Sequence, residues 1–503
     1  MQSVQQIIDQ GALDHPEKIF LTIAETGDTL TWSQLQMHSC QINSLLDQKQ
    51  IERGATVSFL LDNGYWTTLL LLGVMYSGRV VLALNAVSGQ DAMRYIIGHS
   101  DASLLFINDR YRKQYAKVLD NSHDIEVLST CEITGLECEL SNNPQTPNRT
   151  IESDDTALLI YTSGTTGMPK GVLLTHKNVI AGGQYTALAH DIKQNDIAMC
   201  VLPLYHINAQ MVTVMAPLVS GSQVVMRAKF SASHFWHDML HYNCTWFSVV
   251  PTIISYLIDN NADGITTEQM AHIKERVRFG RSASAALSPA KHQLFETRFG
   301  ISIVETMGLS ETAAQILSNP ITPGDNKYGS PGIAVGNEAK VIDKKGQTAA
   351  VGEIGELMIR GDNVMQGYYK NPEVTAETIN AEGWLHTGDL SYCDEDGFFF
   401  ITGRIKELII KGGENVAPRE IDDVLYRHPA VLEAAAFGVD DEHYGQEIMA
   451  CVALCPGMEV TEEELLALCI ESLGKYKTPK NVFIRDELPK GPSGKIQRLK
   501  LSA

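Results

Sequence analysis

The sequence predicts an α/β protein with a large amino-terminal domain of helix-covered, mostly parallel sheets and a small α+β carboxy-terminal domain. Over roughly the first 400 residues, apolar helical segments alternate with short β-branched runs, a pattern typical of parallel sheets covered by helices. Near Gly397 the pattern changes to short strands around a Gly-Gly turn, and the remaining segment has the size of a small domain. The chain of 503 residues is also too long for one ordinary domain.

The spacing of apolar residues predicts the individual elements of both domains. In the first domain we expect helices at 63–76 and 209–218, and strands at 79–84, 199–204 and 222–226. In the second we expect strands at 398–401, 407–410, 434–439 and 450–454, a helix opening after Pro418, and a helix at 462–473. The change in pattern places the boundary between the domains at 404–406.

Composition and charge exclude several classes of function. The formal net charge of −20 argues against nucleic acid as a partner, because neutralising its phosphates requires clustered Lys and Arg. The apolar run at 69–76 is too short to span a bilayer, and the amino terminus lacks the features of a signal peptide. Nine scattered cysteines form no C-x-x-C pair, which fits reduced thiols. We therefore expect a cytoplasmic protein without nucleic-acid or integral membrane partners.

The strongest local signal is the segment 161–171, which reads YTSGTTGMPKG. It follows an apolar strand, its glycines free the backbone to approach an anion, and its hydroxyls and Lys170 supply donors and positive charge. This combination of groups is suited to binding a polyphosphate. The spacing differs from that of the P-loop motif, which disfavours an ordinary P-loop nucleotidase. A surface turn rich in Gly, Ser and Thr is the alternative interpretation.

This segment resembles the phosphate loop of the adenylate-forming superfamily, which includes acyl-CoA synthetases, luciferases and peptide-synthetase adenylation domains. Six further segments resemble that family's motifs in the family's order, at 202–206, 305–311, 355–369, 383–389, 403–407 and 489–496. Together they cover nearly the whole chain.

The resemblance implies an ATP-dependent carboxylate–CoA ligase. Such an enzyme forms an acyl-AMP and pyrophosphate, then an acyl-CoA and AMP, with ATP, Mg²⁺ and coenzyme A as its cofactors. It also implies that the carboxy-terminal domain is mobile and rotates about Lys406 between the two half-reactions. The expected division is an AMP- and acyl-binding domain at 1–403, a hinge at 404–406 and a mobile domain at 407–503.

Chemistry and resemblance together assign the reacting roles. Lys495 is expected to bring its ammonium group to the α-phosphate and the carboxylate during adenylation, where negative charge accumulates. Thr166 and Glu311 are expected to hold Mg²⁺, which prefers oxygen ligands together with substrate phosphates. Asp389 offers acceptors to the ribose hydroxyls, with Arg404 in support. His206 is expected to close the acyl pocket and to gate thiol entry, so Lys495, His206 and Glu311 form the predicted catalytic set.

The predicted nucleotide- and CoA-binding set is larger. It comprises Thr162, Ser163, Gly164, Thr165, Thr166, Gly167, Lys170, Ala283, Glu305, Thr306, Met307, Ser310, Asp389, Arg404, Lys406, Gly412, Gly413 and Asn415.

Within the superfamily, the segments 230–236, 245–252, 281–287 and 403–413 are similar to the oxalyl-CoA synthetase branch. The predicted acid-binding residues are His206, Arg281, Ser282 and Met307. A guanidinium such as that of Arg281 can grip a second anionic group with two parallel bonds. A structural salt bridge is the alternative role for this arginine.

Two departures from the branch bear on the acid. Met307 stands where the branch has an aromatic residue, so that a thioether replaces a ring against adenine. Asn208 and Gln210 bring amides close to the expected acyl pocket. We therefore expect a short polar acid, such as a small dicarboxylate or a sulfonated acetate, and these departures argue against assuming oxalate itself.

The sequence leaves several alternatives open. A short- or medium-chain fatty or aromatic acyl-CoA ligase would carry the same motifs. So would an enzyme that transfers its acyl group to the phosphopantetheine of a separate carrier protein. A third alternative is a non-catalytic nucleotide-binding protein of the same fold. The oligomeric state is open as well, with a homodimer among the possibilities.

Overall fold

A computed structural model describes residues 2–120, 125–136, 138, 140–147, 150–162, 168–260, 262–490 and 496–501. The strands are β1 (Ile19–Ile23), β2 (Thr29–Thr31), β3 (Thr56–Leu60), β4 (Val80–Ala83), β5 (Ala102–Ile107), β6 (Glu126–Cys131), β7 (Gly135–Leu136), β8 (Thr156–Thr162), β9 (Lys170–Thr175), β10 (Ile197–Cys200), β11 (Gln223–Met226), β12 (Trp246–Val249), β13 (Phe279–Ser282), β14 (Ile303–Leu309), β15 (Ala314–Ser318), β16 (Ile333–Ala334), β17 (Glu338–Ile342), β18 (Gly355–Arg360), β19 (Gly367–Tyr368), β20 (Leu385–Cys393), β21 (Phe399–Arg404), β22 (Ile409–Lys411), β23 (Glu414–Val416), β24 (Val431–Asp441), β25 (Gly445–Leu454) and β26 (Val482–Arg485).

The α-helices are α1 (Val4–Asp14), α2 (Trp32–Gln48), α3 (Tyr65–Tyr76), α4 (Gln90–His99), α5 (Asp109–Gln114), α6 (Ala116–Leu119), α7 (His176–Ala189), α8 (Ala216–Ser220), α9 (Ala232–His241), α10 (Pro251–Asn260), α11 (Thr267–Arg276), α12 (Pro289–Phe299), α13 (Pro372–Thr378), α14 (Pro418–Leu425) and α15 (Glu462–Lys477). A π-helix spans Ala209–Met215, and 3₁₀ turns lie at Ser310–Thr312, Ile405–Glu407 and Arg498–Lys500.

Two large mixed sheets form the first part of the chain, as the alternating pattern predicts. One has the strand order β16-β15-β14-β13-β12-β10-β11-β1-β2, and the other β19-β9-β8-β4-β3-β5-β6-β7. In the first sheet, the run from β14 to β1 is parallel, with β10 and β12 side by side. A smaller antiparallel sheet, β17-β18-β20-β21, follows. This confirms an α/β fold with a large amino-terminal part.

The apolar core explains why these elements pack together. All side chains of α3 from Leu69 to Tyr76 are buried, and they share one cluster with strands of both large sheets. The sequence of a helix that is buried on all sides is uniformly apolar rather than amphipathic. The helix ends follow sequence rules as well: Ser3 and Thr31 each form a capping box with the glutamine three residues later.

The last hundred residues form a separate sheet with its own core. Strands β23, β22, β25 and β24 lie side by side in that order, and β26 pairs with β25. Helices α14 and α15 pack against it around Ile421 and Leu465. Pro418 at the first turn of α14 fits that position because its missing N–H would be unpaired there in any case. The chain passes between the sheets from Arg404 to Ile409, beside the predicted hinge.

Several predicted elements differ in detail. The helix expected at 209–218 is a π-helix that continues into α8, because Pro217 lacks the N–H that an α-helix would donate to the carbonyl of Thr213. The strand expected at 407–410 is a 3₁₀ turn followed by β22. The final helix extends to Lys477 across a kink at Gly474, whose φ is 73°. Within the described residues, no helix is both long and apolar enough to cross a membrane.

Candidate active site

A set of polar side chains lies at the carboxyl ends of three neighbouring parallel strands, β12, β13 and β14. In the sheet register, Ser248 pairs with Arg281, and Ser282 pairs with Glu305. Because successive side chains of a strand point to opposite faces, Arg281 and Ser282 serve different sides of this edge. Ligands of open α/β sheets bind outside the carboxyl ends of the strands. The fold therefore places Arg281 and Ser282, two of the residues that the sequence assigns to the acid, at such an edge.

Arg281 is the centre of this polar cluster and is 1% exposed. Its Nη1 donates to Asn208 Oδ1 at 3.0 Å and to Ser248 Oγ at 3.2 Å. Asn208 also donates from Nδ2 to Ser284 Oγ at 3.3 Å. Arg281 Nε is buried without a hydrogen-bond partner among the described residues. All of its partners there are neutral.

The alternative of a structural salt bridge is therefore not realised for Arg281: within the described ranges, no Asp or Glu forms an ion pair with this guanidinium. Burial alone lowers the pKa of Arg281 to about 9, still above neutral pH. A buried cation without a counter-ion is costly, and an anionic ligand would remove that cost.

Glu305 lies on the neighbouring strand and is also fully buried. Its Oε1 accepts from the backbone N–H of Leu287 at 3.0 Å, whereas Oε2 and Ser282 Oγ have no hydrogen-bond partner among the described residues. Burial raises the pKa of Glu305 to about 7, against the opposing effect of Arg419 from the carboxy-terminal domain. Near neutral pH this carboxyl is thus partly protonated and able to donate a hydrogen bond.

A second group of predicted residues lies on the smaller antiparallel sheet. Asp389 on β20 is paired in register with Arg404 on β21. Arg404 Nε donates to Asp389 Oδ1 at 2.8 Å, and Nη2 lies 3.5 Å from Oδ2. Asp389 is the main cause of a raised pKa at Arg404. A carboxylate has about four acceptor sites, and such a group suits the two hydroxyls of a ribose.

Tyr368 connects two predicted residues that are far apart in sequence. Its hydroxyl donates to Glu311 Oε1 at 2.9 Å, and Lys170 Nζ lies 5.0 Å from the centre of its ring. Glu311 also acts on Arg404 electrostatically. Carboxylate, ammonium and guanidinium groups thus converge at one place. Glu311 Oε2 makes none of the described hydrogen bonds, which fits a carboxylate that holds Mg²⁺ jointly with phosphate oxygens.

Of the predicted phosphate loop, the structure describes the two ends. Thr162 on β8 pairs with Lys170 on β9. The residues Ser163, Gly164, Thr165, Thr166 and Gly167 lie outside the described residues, and so does Lys495. Their roles stay predictions.

The other predicted residues fall into two places. Thr306 and Met307 lie on β14, Ser310 and Glu311 in the 3₁₀ turn that follows it, and Ala283 directly after β13. His206 follows the segment Pro203–Tyr205 and makes an edge contact with the Tyr205 ring at 4.7 Å. Lys406 lies instead in the 3₁₀ turn between the two domains, and Gly412, Gly413 and Asn415 lie in the β22–β23 hairpin of the carboxy-terminal domain. Gly412 and Gly413 have φ values of 56° and 84°, which explains the glycine pair at this turn.

The sequence did not identify Tyr368, Ser248 or Ser284 as site residues. Tyr368 stands in a motif but carries no charge to draw attention to it. Ser248 becomes a neighbour of Arg281 only through the parallel register of β12 and β13. Ser284 has a φ of 73°, unusual for a residue other than glycine, and such backbone strain is frequent at functional sites. Gln210, expected near the acid, instead donates from Nε2 to the Leu204 carbonyl at 2.7 Å.

Comparison with known proteins gives a consistent set of matches. The family described as AMP-binding enzyme matches residues 8–369, and that of the AMP-binding enzyme C-terminal domain matches residues 420–495. A sulfoacetate–CoA ligase of Cupriavidus necator is 46% identical over 493 residues, which cover 97% of this chain and 95% of that protein. An oxalate–CoA ligase of Arabidopsis thaliana is 36% identical over 90% of this chain and 89% of that protein. The crystal structure of ATP-bound MatB from Rhodopseudomonas palustris has a TM-score of 0.90 at 27% identity, covering 100% of this chain and 98% of that one.

Proposed function

The chain belongs to the AMP-binding enzyme family, and on this premise we propose that it is an acid–CoA ligase that acts on a short acid with a second anionic group. The overall reaction consumes ATP, Mg²⁺ serves as cofactor, and coenzyme A is the acceptor. Sulfoacetate is the first candidate for the acid and oxalate the second, after the relatives that carry those names.

The observation that carries this proposal is the buried guanidinium of Arg281. Its described partners are an amide and a hydroxyl, neither of which neutralises its charge. A sulfonate or carboxylate at Nε would supply both the missing acceptor and the missing charge. A fatty or aromatic acid has only one anionic group, and that group must face the nucleotide. Such acids would leave Arg281 uncompensated.

Glu305 supports the same choice of substrate. A permanently charged carboxylate beside the acid would repel a dianion, but burial raises the pKa of Glu305 to about 7. In its protonated form the carboxyl donates a hydrogen bond instead of repelling the substrate. We therefore assign Ser282 and Glu305 to a hydrogen-bonding wall on one face of the sheet edge and the cation of Arg281 to the other face, with the acid beyond the ends of the strands.

In the first half-reaction, an oxygen of the acid's free carboxylate attacks the α-phosphorus of ATP, and the bond to diphosphate breaks. Lys170 and the loop 163–167 are proposed to hold the leaving phosphates. Lys495 is proposed to stabilise the charge that accumulates between the acid and the α-phosphate. Asp389, supported by Arg404, is proposed to hold the ribose hydroxyls. Mg²⁺ bound through Glu311 would neutralise phosphate charge.

In the second half-reaction, the thiol of coenzyme A attacks the acyl carbon, and AMP leaves. His206 is proposed to border this path, and the Gly412–Gly413 turn offers a surface without side chains to the pantetheine arm. A hinge at 404–406 between domains 1–403 and 407–503 belongs to the same proposal. It is supported by the position of these residues between two sheets, each with its own core.

A cytoplasmic location is part of the proposal as well. It is supported by the nine free cysteines, since reduced thiols fit a reducing compartment. We further propose a homodimer as the assembly to be tested by sedimentation.

The test is a pyrophosphate-release screen over sulfoacetate, oxalate, malonate, acetate and hexanoate, each with and without coenzyme A. We expect sulfoacetate or oxalate to give the highest kcat/KM, and mass spectrometry to find the corresponding acyl-CoA only when coenzyme A is present. Pyrophosphate release that is fastest with hexanoate or acetate would overturn the proposed acid class. Acyl adenylate that accumulates but never reaches free coenzyme A would point to a carrier-protein acceptor instead.

A further inference from the structure

Lys291 joins the two domains through a contact that the proposed function does not use. It lies in the first turn of α12, in the amino-terminal domain, and its Nζ donates to the backbone carbonyl of Leu432 at 2.7 Å. Leu432 lies on β24 of the carboxy-terminal domain. The same ammonium donates to Ser255 Oγ at 3.1 Å and lies 5.5 Å from the centre of the Tyr426 ring. The ammonium thus has three neighbours, and two of them, Leu432 and Tyr426, belong to the other domain.

The contact is partly buried. Burial lowers the pKa of the Lys291 ammonium, with Glu433 among the groups that oppose the shift. A hydrogen bond from a charged donor in such surroundings is stronger than an exposed one. Exposed lysines contribute little to orientation, because their side chains remain free to move. This position therefore restricts how β24 sits on α12.

The next residue of β24 extends this contact toward the predicted catalytic lysine. Glu433 is buried, and its Oε1 pairs with Lys490 Nζ at 2.6 Å. Lys490 also forms an antiparallel bridge with Ile496. Lys490 and Ile496 flank the segment 491–495, which contains Lys495 and lies outside the described residues. A chain of contacts therefore runs from α12 through β24 to both ends of that segment.

The same end of α12 also lies next to the acid pocket. The N–H of Leu287, just before α12, donates to Glu305 in that pocket. Arg419, at the start of α14, is close enough to Glu305 to act on its pKa. The start of α14 in the carboxy-terminal domain is thus also near the acid-binding side of the amino-terminal domain.

We propose that Lys291 is a positioning residue for adenylation: it fixes the start of β24 against α12, and Glu433 transmits this position to Lys490 and the segment that follows. The inference rests on the proposed function, since it assigns adenylation to Lys495. It concerns the first half-reaction only. We assign this orientation to adenylation and not to thioester formation from an acyl adenylate.

The test separates the two half-reactions in the full-length enzyme. Lys291→Met keeps the length of the side chain and removes its charge. Adenylation is measured as acid-dependent exchange of labelled pyrophosphate into ATP, and thioester formation is measured from chemically prepared acyl adenylate and coenzyme A. We expect exchange to fall at least about tenfold, as for the loss of one charged hydrogen bond, and thioester formation to stay within about twofold. Lys193→Met is the matched control, because Lys193 is exposed and its described ion pair is with Asp191, two residues away.

Three further variants test the proposed chain of contacts from Lys291 through Glu433 to Lys490. Glu433→Gln should also lower exchange selectively, and the double variant with Lys291→Met should be no worse than the more severe single one, since both act on one chain of contacts. Lys291→Arg, which keeps a charged donor, should recover part of the exchange rate. An equal fall in both half-reactions, or unchanged exchange in Lys291→Met, would overturn the inference. Wild-type protein that forms no acyl adenylate with any acid would instead overturn the proposed function, and the inference with it.

Discussion

Replacing Arg281 by methionine is the sharpest test of how this protein selects its acid. The variant removes the charge of a side chain that is 1% exposed while filling most of its volume. A hydrogen bond to a charged group contributes about 1.5–3 kcal/mol, so kcat/KM for sulfoacetate or oxalate should fall between about tenfold and about 150-fold. A monoacid such as acetate makes no contact with Arg281 and should lose at most about twofold.

The thermal stability of the variant gives a second readout, which should not fall together with its activity. Because the described partners of Arg281 are neutral, the variant removes a buried charge that lacks a counter-ion and leaves no charged partner behind. We therefore expect the thermal midpoint of Arg281→Met to be unchanged or raised. Arg79→Met is the matched control, since Arg79 is 2% exposed but donates to the backbone of Ile51 and pairs with Asp47. That variant should lower the midpoint and leave the ranking of acids unchanged.

The assay is the pyrophosphate-release screen with purified wild type and both variants, together with thermal unfolding of each. The reasoning about Arg281 fails if the variant keeps the wild-type ranking of acids. It also fails if every acid loses activity by the same factor while the midpoint drops, since that pattern describes a structural arginine.

Three other outcomes follow from the site. Lys495→Ala should lower pyrophosphate exchange by orders of magnitude while thioester formation from preformed acyl adenylate survives; equal losses would remove its assignment to adenylation. Asp389→Asn should raise the KM for ATP about tenfold or more with a smaller change in the KM for the acid, because it weakens a charged acceptor for the ribose; an unchanged KM for ATP would contradict this role. Burial raises the pKa of Glu305 to about 7 from a usual 4.5, so the folded state binds the extra proton and the free energy of unfolding should fall as pH rises from 4.5 to 7. Glu305→Gln should remove roughly 2–4 kcal/mol of that fall, as measured by urea unfolding at pH 5 and pH 8, and an identical pH dependence in both proteins would refute the assignment.

The sequence predicts the fold class and most elements because their signals are local. Alternating apolar runs, capping residues and the Gly412–Gly413 turn each depend on a few neighbouring residues. The π-helix at Ala209–Met215 was missed, because its apolar residues read as an ordinary helix and the effect of Pro217 falls on the preceding turn. Strand ends such as that of β10 at Cys200 depend on which backbone groups find partners, which local sequence does not specify.

The sequence identifies the site residues that can be recognised one at a time. Arg281, Glu305 and Asp389 stand out because they are charged residues inside motifs. Their partners do not stand out, since Ser248 reaches Arg281 only through sheet register and Tyr368 reaches Glu311 across 57 residues. The contact between Lys291 and Leu432 depends on how two domains sit against each other, for which no local pattern exists.

Arg281 also determines between which acids the pocket should discriminate most strongly. A pocket that is merely apolar distinguishes acids by a methylene or two, and each is worth only about 1–3 kcal/mol. A pocket built around a buried polar group rejects a ligand that lacks the matching group far more strongly, because the group is then left unpaired. In a chain with a net charge of −20, the long-range field does not attract a dianionic acid, so its recognition rests on local donors. We therefore expect a sharp distinction between dianionic and monoanionic acids, set by Arg281. The distinction among short dianions should be smaller and set by the neutral groups of Asn208, Ser282 and Ser248.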